Sequence, residues 1–352
     1  MRNSLRKIES HNGSILVLAL WTLTFLSVYV ILLGTHVRSK MEVLLRLDRT
    51  SKVQDGAEAG IRIARAVFGS GQVMKDAPIS GHQKQKWFQN PGRFSDQSLG
   101  KISYEVSYNP HLDYPRVSER AYGFSDEERR ININTADRKT LTRLIYYAAT
   151  QDETQAEDIA KAILDWRLAG RSDIVGFFSD EFYENLEYPY QPQKKDFEVL
   201  DELMLVKGID ANIFRKIKDL VTVWGNGRVN INTASRLALY ALGLSETLVD
   251  RILYLRSGPD GIDGTMDDYI FRTSGPKGSL ILPESLNLSG EELAVIDYLH
   301  VHGILGIDST CFRIESRGYF KETQESRRIM CVFDGNSGKI LYWREKKGSD
   351  PI

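Results

Sequence analysis

Ile15 to Gly34 reads ILVLALWTLTFLSVYVILLG, twenty residues without a charge. At about 1.5 Å of rise per residue, a helix of this length spans roughly 30 Å, the hydrocarbon thickness of a bilayer. Its polar members, Thr22, Thr24 and Ser27, are mild, so the run predicts a membrane-inserted helix near the N-terminus. A secretory signal has a shorter apolar core, about 7 to 15 residues, followed by a small-x-small cleavage site. The residues after this run, Thr35-His36-Val37-Arg38-Ser39-Lys40, offer no such site. Two readings stand side by side: an uncleaved signal anchor, or a leader cut ahead of the run at Gly13-Ser14, which leaves the apolar stem on the mature protein.

Beyond the run no proline interrupts the chain as far as Phe68. Met41, Leu44, Leu45, Val53, Ala57, Ile61, Ala64 and Phe68 form an apolar stripe, mostly at spacings of three and four, on an otherwise charged helix. The first half of such a helix belongs in lipid or a fibre core, and the second half on a globular head.

With 352 residues, 42% of them hydrophobic and 26% charged, the chain can bury a sizeable core, enough for two globular parts beyond the stem. A net charge of -1 argues against the strongly basic balance of a nucleic-acid binder. Lys and Arg lie on both sides of the apolar run and do not orient it.

Lys101 to Tyr108 (KISYEVSY) alternates apolar and polar and reads as a half-buried strand. Cys311 to Phe320, Arg327 to Phe333 and, after the turn Asp334-Gly335-Asn336-Ser337-Gly338, Lys339 to Trp343 read as further strands. The segment between the two strand groups, Ile131 to His302, is rich in helical pattern. The expected fold is α+β: a long N-terminal helix, an antiparallel sheet built from both ends of the head, and a large inserted all-α domain. Expected boundaries are a leader over 1–13, a stem over 14–68 (membrane part 15–34), a first head part over 69–130, the insertion over 131–302 and closing strands over 303–352. The two cysteines fall on the last strands; a hairpin about Lys321 to Ser326 would leave Cys311 and Cys331 several residues out of register, too far for a disulfide.

The insertion contains an internal repeat. Residues 131–136 (ININTA) recur as 229–234 (VNINTA), each ahead of a pair of apolar-periodic helices. Asn and Thr suit a helix start, where their oxygens can accept from unpaired N–H groups. Leu242-Gly243-Leu244 in the second copy and Val206-Lys207-Gly208-Ile209 between the copies have the hydrophobic-Gly-hydrophobic form of a helix-hairpin-helix, whose backbone N–H groups can hold a phosphate. The flanks are not markedly basic, which favours a packing role for the hairpins over nucleic-acid binding.

Gly258 to Tyr269 (GPDGIDGTMDDY) places Asp260, Asp263, Asp267 and Asp268 on a loop with three glycines. Clustered carboxylates repel unless a cation lies among them, and flexible oxygen-rich loops suit Ca²⁺; a solvated acidic turn is the plain alternative. The loop does not follow the twelve-residue EF-hand pattern. Among the six histidines only His300 and His302 have a spacing suited to a strand-borne metal pair, and packing histidines are commoner. No phosphate-cradling Gly-Lys-Ser/Thr loop or Gly-x-Ser-x-Gly elbow is present, so no enzyme is expected.

Taken in order, several stretches resemble the protein K family of the type II secretion system, the large minor pseudopilins. They are Gly13-Ser14 with Leu18-Ala19-Leu20-Trp21, Gly56-Ala57-Glu58-Ala59-Gly60, ININTA with Ile163-Leu164-Asp165-Trp166-Arg167, and Tyr188-Pro189-Tyr190. Leu200-Asp201-Glu202-Leu203 with Val206-Lys207-Gly208-Ile209, VNINTA and Ser309-Thr310-Cys311-Phe312 complete the series. The resemblance implies a pilin-like head with an inserted α-domain, leader cleavage at Gly13-Ser14 and N-methylation by prepilin peptidase. It also implies a single-pass inner-membrane protein with a periplasmic head, and assembly with pseudopilins I and J, the major pseudopilin and the inner-membrane assembly platform.

Most pilins and pseudopilins carry Glu at the fifth mature position, where it answers the N-terminal amine of a neighbouring subunit inside an apolar core. Counting from Ser14, that position is Leu18. The resemblance therefore implies a subunit at the fibre tip, with no chain above it to neutralise. It also implies calcium in the insertion, with Asp260, Asp263, Asp267 and Asp268 as ligands; Leu168-Ala169-Gly170-Arg171 lacks the acids that a second metal site would need. A membrane-tethered DNA receptor of the competence type and a minor pilin of a type IV pilus are the alternatives.

Overall fold

Val53, Ala57, Ile61, Ala64 and Phe68 stand at helical spacing and are all buried. They belong to the larger of two units into which the chain divides, Met1–Lys52 and Val53–Ile352. The computed structural model describes residues 12–71, 85, 87–110, 120–167, 180–261, 265–275, 278–323 and 325–347. One helix, α1, covers Asn12–Gly71.

In the first unit every side chain from Ile15 to Arg49 is exposed. Thr22, Thr24 and Ser27 turn their hydroxyls back onto the carbonyls of Ala19, Trp21 and Leu23 at 2.8 Å, so the polar members of the apolar run satisfy themselves on their own helix. By length and composition this helix can cross a membrane.

The second unit opens with α2 (Pro91–Phe94), β1 (Gln97–Leu99), β2 (Ile102–Val106) and β3 (Ser125–Asp126). A helix-rich segment follows: β4 (Ile131–Asn132), α3 (Arg138–Ile145), α4 (Glu153–Arg167), α5 (Asp180–Glu184), α6 (Ala211–Ile217), β5 (Val221–Thr222), β6 (Val229–Asn230), α7 (Arg236–Ala241), α8 (Glu246–Ser257), β7 (Arg272–Thr273), β8 (Leu280–Ile281), α9 (Gly290–Val301) and β9 (Leu305–Gly306). It closes with β10 (Cys311–Tyr319), β11 (Ser326–Asp334) and β12 (Ile340–Lys347). The sheet is antiparallel in the order β1-β2-β10-β11-β12, with β3 also on β10, so strands from before and after the helix-rich segment lie side by side.

The α1 stripe lies against this sheet, and glycine permits the approach. A Cβ on Gly60 would meet Tyr104 Cδ2 at 3.0 Å and Val106 Cγ2 at 3.1 Å, and one on Gly318 would strike the α1 backbone at Val53 and Ala57. Behind the stripe Phe68, Trp87, Phe124, Phe312 and Phe333 form an aromatic core, with the Phe68 and Phe312 rings 4.5 Å apart. A second, separate core built on Leu141, Leu144, Ile163, Trp166, Leu239 and Ile252 fills the helix-rich segment.

That segment is not wholly helical. β4 pairs β5 and β6 pairs β9 in parallel, and β7 pairs β8 antiparallel, each over two residues. Buried backbone groups at the ends of the helical hairpins need partners, and these short ladders supply them. On the sheet, Cys311 lies opposite Asp334 and Cys331 opposite Ile314, so the two thiols are three residues apart in register and both are free and buried. β12 runs four residues past the expected Trp343; its end, Arg344 to Lys347, is charged because it forms an exposed sheet edge.

Candidate functional site

The two asparagine motifs act as turns and clamps, not as helix caps. Asn132 and Asn230 fold their Oδ1 onto the backbone N–H of Asn134 and Asn232, at 2.9 and 3.0 Å. The helices that follow are capped by Asp137, which accepts from Thr140 N, and by Ser235, which accepts from Ala238 N. The second asparagine of each motif reaches a distant stretch of backbone: Asn134 exchanges two hydrogen bonds with Phe197 at 3.0 and 2.9 Å, and Asn232 does the same with Phe271 at 3.1 and 2.8 Å. An arginine at the end of the following helical hairpin completes each copy. Arg167 donates to the carbonyls of Ile133 and Ala136, and Arg256 to those of Ile231 and Ala234. The same four-part device is thus built twice within one core.

The segment Asp126 to Arg130 (DEERR) would pass in sequence for a solvated charge run, yet every residue in it is buried. It joins β3 to the helix-rich segment. Asp126 Oδ2 accepts from Asn230 Nδ2 at 3.2 Å, Thr233 Oγ1 at 2.8 Å and Ser309 Oγ at 2.5 Å. Glu127 takes Arg313 of β10 with two oxygens at 2.6 and 3.2 Å and lies 3.7 Å from Arg130. Burial works to raise the Glu127 carboxyl, but Arg313 and Arg130 outweigh it and hold the group below its ordinary value. Glu128 accepts from Thr310 N at 2.8 Å and from Thr310 Oγ1 at 2.5 Å; burial first, and the Asp126 carboxylate second, push it up to about 7.

The acidic loop brings Asp260, Asp267 and Asp268 together, one carboxylate oxygen of each lying within 4.8 Å of the others, with Asp268 buried. Thr265 Oγ1 donates to Asp267 Oδ1 and Asp268 Oδ1, and the Asp260 N–H points to Asp267 Oδ2 at 3.3 Å. Gly258, at φ +63°, brings the backbone so near Asp267 that a Cβ would lie 2.5 Å from its Oδ2. Hard oxygen donors gathered on one loop fit Ca²⁺. Asp263, the fourth expected ligand, lies outside the described residues.

His300 and His302 do not form a metal pair on a strand. They end α9, where the His300 nitrogens face Leu305 O at 3.3 Å and Gly278 O at 3.0 Å and His302 Nδ1 faces Tyr298 O at 2.8 Å. The hairpin glycines Gly208 and Gly243 take φ of +85° and +90°, as tight turns demand. Gly208 and Lys207 share their hollow with Asp152 and Asp158, carboxylates that would repel a phosphate. Gly13 and Ser14 fall within α1, and Leu18 on the same helix is 67% exposed, with no acidic residue in the helix's first turn.

Residues 123–226 match the family described as type II secretion system (T2SS), protein K. The fold is similar to one seen in the crystal structure of the GspK-GspI-GspJ complex from the enterotoxigenic Escherichia coli type 2 secretion system, with a TM-score of 0.58. That likeness covers 90% of this chain and 100% of the other at 17% identity, and at such identity it is a likeness of fold. No curated protein matches the chain. The family match spans the buried charge run, the first asparagine motif and the Gly208 hairpin.

Proposed function

We propose that this chain, a protein K and minor pseudopilin of the type II secretion system, is the tip subunit that starts a short fibre for export across the outer membrane. The reading takes Ile15 to Gly34 as a single inner-membrane span with the head in the periplasm. Prepilin peptidase would cut before Ser14 and methylate it, and the inner-membrane assembly platform would draw the stem from lipid into a helical bundle. Apolar side chains such as Leu16, Leu20 and Leu23 are exposed on the isolated chain, and covering them supplies the assembly energy at about 25 cal/mol per Å².

Leu18 is the observation that carries the tip position. A subunit without a carboxylate there cannot neutralise the amine of a chain above it, and a buried lone charge is costly. At the tip no chain lies above. Pseudopilins I and J, partners of the related subunit in the E. coli complex, are the proposed neighbours, with the major pseudopilin below. The helix-rich segment is read as an inserted domain of two helix-hairpin-helix-like units, which bulk and the acidic surroundings of the Gly208 hairpin suit to protein packing at the tip. Asp260, Asp267 and Asp268, with Asp263, are proposed to hold a structural Ca²⁺ that pins the loop. No catalytic step is assigned to the chain.

Co-expression with pseudopilins I and J, without the major pseudopilin, tests the reading. A stoichiometric complex recovered from detergent is expected. Recovery of this chain alone, together with normal fibre formation in cells lacking it, contradicts the reading.

A further inference from the structure

A cleft of about 920 Å³ lies between the outward face of the sheet and the α6 region of the helix-rich segment. Seven basic side chains and three carboxylates line it, although the whole chain carries a net charge of only -1. Some of those cations are answered: Arg313 by Glu127, and Arg344 by Asp201 at 3.0 Å. On the same sheet face cations also stand against one another, Arg317 with Glu105 3.7 Å away. Across the sheet Arg317 of β10 stands directly opposite Arg328 of β11, and Arg328 directly opposite Lys346 of β12. Like charges facing each other on neighbouring strands destabilise a sheet. Arg328 feels this: burial and then the charges of Arg317 and Arg120 lower its pKa, against the opposing pull of Glu315 and Glu105.

The remaining wall is apolar and adaptable. The rings of Trp224 and Tyr342 lie 5.1 Å apart, with Phe214, Met204 and Met330 also lining the cleft. Cations facing Arg215 of α6 and Lys218 just past its end across such a wall suit a ligand that is both acidic and apolar. A nucleic-acid backbone fits less well, because Asp201, Asp219 and Glu315 project among the cations. We infer that this cleft is a docking site for an acidic, aromatic-containing peptide segment of a partner protein, held by Arg328 and Lys346 at one side and by Trp224 and Tyr342 at the other. The inference does not depend on the tip reading; it needs only the cleft.

The test uses the full chain in detergent and three fluorescent probes: an eight-residue peptide of alternating glutamate and phenylalanine, its lysine–phenylalanine counterpart, and a thymidine oligonucleotide. The acidic peptide is expected to bind with a dissociation constant on the order of 10 µM at low salt and at least about tenfold more tightly than either control. Arg328→Gln and Lys346→Gln should each weaken it about fivefold or more. Arg328→Gln should also keep or raise the melting temperature, because Arg317 loses a like-charged neighbour; a merely structural arginine would lower it. Equal binding of the acidic and basic peptides, variants that bind as the parent does, or tighter binding of the oligonucleotide would each overturn the inference.

Discussion

Asn232 holds Phe271, 39 residues further along the chain, by both backbone groups: its Nδ2 donates to the Phe271 carbonyl and its Oδ1 accepts from the Phe271 N–H. A side-chain amide here does what a neighbouring strand would do. Asn232, with 2% exposure, has no water to fall back on. Asn232→Ala should strand a buried donor and acceptor and cost about 2 to 4 kcal/mol, read as a fall in the thermal or urea midpoint. Asn232→Asp should cost at least as much, since it removes the donor and buries a charge.

Glycine at two places in α1 should respond to alanine in opposite senses. Gly69 has nothing within 4 Å of an added Cβ, so Gly69→Ala should stabilise by about 0.5 to 1 kcal/mol through helix propensity. Gly60→Ala would press on Tyr104, Val106 and Ser316 and should destabilise by about 1 to 3 kcal/mol. Melting curves of the two variants and the parent check both signs.

The pH response should carry the mark of Glu128. Its carboxyl titrates near 7 when folded against an ordinary value of 4.5, so folding favours the protonated form. That contribution is complete below about pH 4.5 and is lost as pH rises through 7; the difference amounts to about 3 kcal/mol. Glu128→Gln, which keeps an acceptor for Thr310, should flatten the stability profile over this window. An unchanged slope would show that Glu128 is not buried as described.

Calcium should stabilise the head. A ligand bound only by the folded state adds about 2.7 kcal/mol at a hundredfold excess over its dissociation constant, so the midpoint should climb with Ca²⁺ and fall back with chelator. Asp267→Asn should abolish the effect, because Asp267 stands between Asp260 and the Thr265 hydroxyl. No response to Ca²⁺ in the parent would leave the loop as a solvated turn.

Patterns carried by local spacing were legible in the sequence. The apolar stripe from Val53 to Phe68, the alternation of Ile102 to Val106, the C-terminal strands and the doubled asparagine motif all depend on residues near one another; Met41, Leu44 and Leu45, expected on the same stripe, are exposed. What could not be read depends on partners far along the chain. Asn134 finds Phe197 63 residues away, and Thr310 finds Glu128 across 182 residues, so neither the clamp nor the buried charge run had a local signature. The motif asparagines were expected to cap helices, and Asp137 and Ser235 do so instead. A clue lay in Arg167 and Arg256, which follow the two motifs as matching basic residues in apolar helices. For the acidic loop the sequence proposed four ligands, and three of them meet.

The proposed role requires that the apolar stem be processed as a pseudopilin helix without the usual acid. The N-terminal mass of the protein extracted from membranes decides whether it is. A mature chain beginning at N-methylated Ser14 is expected; an intact Met1 on functional protein would rule that processing out.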